Sequence, residues 1–251
     1  MSGHSHWAKI KRAKGATDAR RGRLWSKLAR KIIVAAKAGG GKPEENLALR
    51  YAIDDSKAAN MPNDTIDKAI KKGTGELGAA VYEQVIYEGY GPAGVAYIVD
   101  CLTDNRNRTA PEMRKIFERA GGQLGATGCV SWMFENKGTF VISCEKIDEE
   151  KLMDIALEAG ADDVTTEGDV FQVTCEAPKY ATVRQALAAK GIETISAEIG
   201  MIPKNSISVD ANKARQVLGL MEALEDHEDV QNVYANFDIP DEIMADVEKN
   251  Q

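Results

Sequence analysis

The sequence is poor in the residues that catalysis and membrane insertion require. Its 251 residues contain no run of about 18 apolar residues, which excludes a membrane-spanning helix. Histidine occurs three times (His4, His6, His227), and there is no H-E-x-x-H, no G-x-S-x-G and no Cys/His set at metal-ligand spacing. An enzyme is therefore not expected, and neither is a cofactor, a bound metal or a small-molecule substrate. The acidic run Glu225-Asp226-His227-Glu228-Asp229 could hold a divalent cation, but it reads more simply as a solvated turn between a helix and a strand. The four cysteines (Cys101, Cys129, Cys144, Cys175) show no C-x-x-C spacing and lie in or beside apolar stretches. They read as reduced core thiols, neither zinc ligands nor a disulfide frame. The opening MSGHSHWAKIKR has no apolar core of a secretory signal, so a cytoplasmic location is expected.

Against these shortages stands an uneven distribution of charge. The whole chain carries 32 Lys+Arg and 39 Asp+Glu, a net −7. Residues 1–42 hold twelve Lys/Arg and one acid, Asp18, a net +11, so the other 209 residues carry −18. A strongly basic arm on an acidic body suggests a nucleic-acid or anionic-surface partner.

Periodicity divides the chain. Residues 1–19 are basic, poor in large apolar side chains and broken by Gly3 and Gly15, so little order is expected there. A helix is predicted from about Asp18 to Ala38, with Leu24, Leu28, Ile32 and Ala35 as its buried stripe. A second helix at about 44–59 turns Leu47, Tyr51 and Ala52 inward, and a third, capped by Asn63 or Asp64, ends at Gly73. Strands follow at Val81–Tyr87 and Gly94–Leu102, then a helix at about 110–120 opened by the capping box Thr109-Ala110-Pro111-Glu112, then a strand at Val130–Phe134. From Thr139 to Ile202 the order is β-α-β-β-α-β, the ferredoxin-like arrangement, followed by a helix at 210–225 and a strand at Val230–Phe237. The fold class predicted is α+β: an all-α N-terminal domain followed by two α/β domains, the last ferredoxin-like and inserted in the second. The boundaries expected are 1–78, 79–135 plus 206–240, 136–205, and a tail at 241–251.

Phosphates attract Lys and Arg because each contact releases condensed counterions, and Arg adds a two-pronged grip. The candidate nucleic-acid-binding residues are His4, Ser5, Trp7, Lys9, Lys11, Arg12, Lys14, Arg20, Arg21, Arg23, Lys27, Arg30 and Lys31, with Trp7 able to stack on a base. A second set, Arg106 and Arg108, sits where a strand end meets a helix N-terminus, with Arg114 and Lys115 extending it. Bland readings stand beside each. The arm could merely solubilise or lie on an anionic membrane, and Arg106 and Arg108 could pair with acids of the body. Those acids could also compete with nucleic acid for the arm. Gly73-Thr74-Gly75-Glu76-Leu77-Gly78 matches a dinucleotide fingerprint in form only, because it follows a helix and precedes a strand.

Five motifs carry a family resemblance along nearly the whole chain. They are Gly3-His4-Ser5-x-Trp7; Tyr87-Glu88-Gly89-Tyr90-Gly91-Pro92-x-Gly94; Asp104-Asn105-Arg106-Asn107-Arg108-Thr109; Gly121-Gly122-x-Leu124-Gly125; and Leu224-Glu225-Asp226 with Asp229-Val230-Gln231-x-Val233-Tyr234. The chain resembles the YebC/PmpR family of "probable transcriptional regulatory proteins", whose eukaryotic relatives include the mitochondrial translational activator of cytochrome c oxidase. The resemblance implies three domains and a cytoplasmic, cofactor-free, nucleic-acid-binding regulator, acting on promoter DNA or, alternatively, on RNA at the ribosome. His6 replaces the family's usual lysine and Cys129 its usual serine. A monomer that docks on no membrane is expected. The rival from another class is a protein-interaction module docking on an acidic partner.

Overall fold

The computed structural model describes residues 18–78, 81–240 and 243, and side chains from Arg21 onward. Three helices come first: α1 (Asp18–Gly39), α2 (Leu47–Ala58) and α3 (Asn63–Gly73). They enclose a core of Leu28, Ile32, Ile33, Ala36, Leu49, Ala52, Ile53, Ile66 and Ala69. Two residues expected inside are not: Leu24 and Leu47 are half-exposed. The buried face of α1 runs through Trp25, Leu28, Ile32 and Ala36, which share one side of a helix of about 3.6 residues per turn, and Leu24 lies at its edge. Asn46 caps α2, accepting from the Leu49 N–H. Pro62, which no side-chain hydrogen bond assists, takes the capping position of α3 in place of Asn63 or Asp64.

The first sheet contains β1 (Glu83–Tyr90), β2 (Ala96–Thr103), β3 (Gln123–Leu124) and β9 (Val230–Ala235), in the order β3-β1-β2-β9. Helices α4 (Arg106–Arg119) and α7 (Ala211–Glu225) cover one face. Burial there joins Tyr97, Val99, Met113, Phe117, Val217, Leu220 and Leu224. Tyr97 satisfies its hydroxyl by donating to the Val217 carbonyl at 3.0 Å and meets Phe117 edge to face.

The second sheet consists of β4 (Phe134–Ser143), β5 (Asp163–Glu167), β6 (Val170–Glu176) and β7 (Ser196–Pro203), ordered β5-β6-β4-β7 with every pairing antiparallel. With α5 (Glu149–Glu158) and α6 (Tyr180–Ala189) this is the ferredoxin-like topology. It lies between β3 and α7 in the chain, so the first sheet is completed by a strand that follows it. A short parallel pair, β8 (Ile207–Ser208) with β10 (Phe237–Asp238), ties the return segment down.

Two local expectations are corrected. Val130–Phe134 is not a strand: a 3-10 turn at Ser131–Met133 precedes β4, because the Glu88 carboxylate takes the N–H groups of Gly128, Val130 and Ser131 that a ladder would have needed. Helix α4 starts at Arg106, not near residue 110. Asn105 caps it, accepting from the Arg108 N–H, and Thr109 is a first-turn residue whose hydroxyl is committed elsewhere. Pro111 consequently sits within the helix, on an exposed face.

Candidate nucleic-acid interface

Arg23, Lys27 and Arg30 recur at helical spacing on α1 and share a face distinct from its buried stripe. That face is turned toward the C-terminal end of α7 and the loop after it. The last carbonyls of a helix lack intrahelical partners and carry the negative end of its dipole, which favours cations there. The Lys27 ammonium donates to the Glu225 carbonyl. Arg23 pairs with Asp226 at 3.3 Å. Arg30 donates to the Glu228 carbonyl and lies 3.7 Å from the Glu228 carboxylate and 3.4 Å from that of Asp229.

Asp229 is the centre of this cluster. Its side chain is 1% exposed, and besides Arg30 it meets Arg108 at 2.7 Å and the Thr109 hydroxyl at 2.7 Å. Burial alone would raise its carboxyl. The hydrogen bonds from Arg108 and Thr109, with the charges of Arg108 and Arg30, outweigh burial and hold it below the ordinary carboxylate range. Arg108 also reaches Asp104 at 3.0 Å. His227 locks the loop: its Nδ1 accepts from the Asp229 N–H at 3.1 Å, so its Nε2 is the nitrogen facing Glu112 at 2.9 Å.

The candidates therefore separate into groups. Arg23, Lys27, Arg30 and Arg108 converge on one acidic loop. Arg106, Arg114 and Lys115 lie exposed along α4, and Arg21 is exposed on α1. Lys31 is half-buried on α1, where its charge acts on Asp55 of α2 and Asp100 of β2. His4, Ser5, Trp7, Lys9, Lys11, Arg12 and Lys14, and the side chain of Arg20, lie outside the described residues. Of the two readings for the α4 arginines, pairing with body acids holds for Arg108, while Arg106 stays on the surface.

Sequence reasoning missed Asp229, Thr109 and His227 as the organisers of these cations. The signal was present, since Asp229 directly precedes the apolar strand β9, where an acid is carried into the interior by its neighbours. Residues 225–229 are engaged by α1 and α4 through ion pairs and hydrogen bonds, not free in a solvated turn. Among the described residues no group of three or more His, Cys, Asp or Glu could hold a metal ion, and no helix is long and apolar enough to cross a membrane.

The helical domain is held from a second side as well. Tyr51 of α2 meets Tyr180 of α6 edge to face, centroids 6.0 Å apart, and Arg184 lies 4.8 Å from the Tyr51 ring centre. Both α/β domains thus hold the helical domain, one through the cations of α1 and the other through Tyr51 of α2.

Known proteins share this architecture. Residues 5–76 match the family described as TACO1/YebC protein N-terminal domain, and residues 82–237 match the TACO1/YebC second and third domain. A "Probable transcriptional regulatory protein" of Syntrophus aciditrophicus is 54% identical over 245 residues, covering 97% of this chain and 98% of that protein. A namesake in Dictyoglomus turgidum is 53% identical with the same coverage. The crystal structure of a conserved hypothetical protein, Aq1575, from Aquifex aeolicus superimposes with a TM-score of 0.85 at 46% identity, covering 94% of this chain and 97% of that one. With two domain matches that together span most of the sequence, and relatives more than half identical along nearly all of it, this chain belongs to the TACO1/YebC family.

Proposed function

We propose that this protein regulates gene expression by binding nucleic acid through the basic arm and α1, with the exposed cations of α4 extending the contact. The observation that carries the reading is the net +11 of residues 1–42 on a body of −18. The relatives' name, "Probable transcriptional regulatory protein", supports the same class of role. Cations at this density grip phosphate without reading bases. Arg23, Lys27 and Arg30 form one face of α1 and face the acids at 226–229, so phosphate must compete with these carboxylates for that face. The acidic loop then sets a threshold that only a dense polyanion passes.

The test is fluorescence anisotropy with labelled duplex and single-stranded oligonucleotides over a range of salt. Affinity is expected to fall steeply, each neutralised phosphate adding roughly 0.9 to the logarithmic slope on duplex DNA and 0.7 on single strands. Reversing charge at Lys27 and Arg30 (Lys27→Glu, Arg30→Glu) is expected to weaken binding strongly. Circular dichroism is needed alongside, because both residues also anchor α1 to the body. Salt-independent binding, or a folded double variant that binds as well as the parent, would refute the grip.

The direction of the α1 cations also favours a reading at the ribosome. Arg23, Lys27 and Arg30 face the body in place of presenting a helix to base edges, which suits recognition of backbone and shape. Co-migration of the protein with ribosomes in a sedimented lysate supports a role in translation. Enrichment on promoter fragments without such co-migration supports transcription.

A further inference from the structure

Away from the basic domain, the structure presents two aromatic side chains with no core to fill. Trp132 is 64% exposed and Tyr90 38%. Both are fixed by one acceptor: Trp132 Nε1 donates to the Cys129 carbonyl at 3.0 Å, and the Tyr90 hydroxyl donates to the same oxygen at 3.3 Å. Their polar edges are thus used, while most of the Trp132 side chain and a smaller part of Tyr90 stay exposed. The mount is stiff. The nearly buried Glu88 carboxylate accepts from the N–H groups of Gly128, Val130 and Ser131 at 2.7, 2.9 and 2.8 Å, which freezes the turn that carries Trp132. Burial alone would raise the Glu88 carboxyl, but these hydrogen bonds hold it low, so it stays an ionised anchor. Lys204 donates to the Trp132 backbone carbonyl at 3.1 Å, placing an ammonium at the residue that carries the indole.

We infer that Trp132, Tyr90 and Lys204 form a stacking platform for an unpaired base of a single-stranded nucleic acid, with the Lys204 ammonium beside its phosphate. The surroundings favour a base over an apolar peptide side chain. Gly125, Ala126, Thr127, Gly128 and Ser131, in the segment leading to Trp132, are small or polar and exposed, so these described neighbours offer little apolar surface to enclose a side-chain anchor. Stacking needs only an open ring face and a nearby cation, and it accepts any base because the hydrogen-bonding edges are already spent. The inference rests on the nucleic-acid reading above. It extends that reading by separating a duplex-tolerant grip on phosphate from a second point that only an unpaired strand can reach.

The experiment compares the full-length protein with Trp132→Ala and Trp132→Phe variants on a labelled oligouridylate and on a duplex of equal charge. Trp132→Ala is expected to weaken single-strand binding by roughly five- to 150-fold, the range for one stacked base, and to leave duplex binding unchanged. Trp132→Phe, which keeps a ring without the indole N–H, is expected to recover most of the loss. Unchanged oligouridylate binding by Trp132→Ala overturns the platform and leaves the rings to a protein partner. Equal losses on both probes, or no recovery with phenylalanine, overturn it too, because either marks a packing role. If the parent protein binds neither probe at low salt, the nucleic-acid reading itself has failed.

Discussion

Asp229 shows how one side chain can tie three segments together. It meets α1 through Arg30, and the start of α4 through Arg108 and Thr109, while its own N–H is held by His227. Replacing it with asparagine keeps the shape and removes the charge. Asp229→Asn is expected to lower the unfolding free energy by about 1–3 kcal/mol in urea titrations, the usual cost of leaving buried hydrogen-bonding groups ill-matched. The pH dependence follows from the sign of its shift. Its folded carboxyl lies below the ordinary 3.8, so its contribution is complete above that value and is lost as pH falls through the folded value. Acid titration of stability is therefore expected to be shallower in Asp229→Asn than in the parent. Glu88 obeys the same sign. Glu88→Gln is expected to cost about 1–3 kcal/mol, because an amide has one acceptor oxygen for the three N–H groups the carboxylate serves.

Elements were legible where local patterning and tertiary packing agree. The ferredoxin-like order could be read because its helices and strands each show their own period, and both helices are closed by a glycine, Gly160 and Gly191, which adopt left-handed backbone. The start of α4 was misplaced because Thr109-Ala110-Pro111-Glu112 satisfies every local rule for a helix start. Only Asp229, 120 residues away, shows that the Thr109 hydroxyl is engaged elsewhere. The site was half-legible for the same reason. The cations announce themselves by number, but whether Arg108 faces solvent or a buried acid depends on a distant strand. Close approaches between elements are equally invisible. Gly200 of β7 lies so near the Tyr234 ring of β9 that an added Cβ would come within 2.8 Å of it. Gly200→Ala is expected to force the two sheets apart and lower stability by about 1–3 kcal/mol, read as a fall in Tm by calorimetry.

Across the described molecule, the cations of α1 are folded against an acidic loop from the far end of the chain. Removing exposed acids while sparing Asp229 tests what this contact does. Asp226→Asn with Glu228→Gln removes the carboxylate facing Arg23 and one of the two facing Arg30. Each exposed pair is worth up to about 1 kcal/mol, so the double variant is expected to bind oligonucleotides several-fold more tightly at low salt, with the gain fading as salt rises. Unchanged affinity would show that these carboxylates do not compete with phosphate. A polyanion that takes Arg30 or Arg108 also takes away the charges that keep Asp229 ionised. Binding and protonation are then thermodynamically linked, and reciprocity requires each to favour the other. In acidic buffer the complex is expected to draw a fraction of a proton from solution as it forms. Calorimetry in buffers of different ionisation enthalpy would reveal it as a binding heat that changes with the buffer.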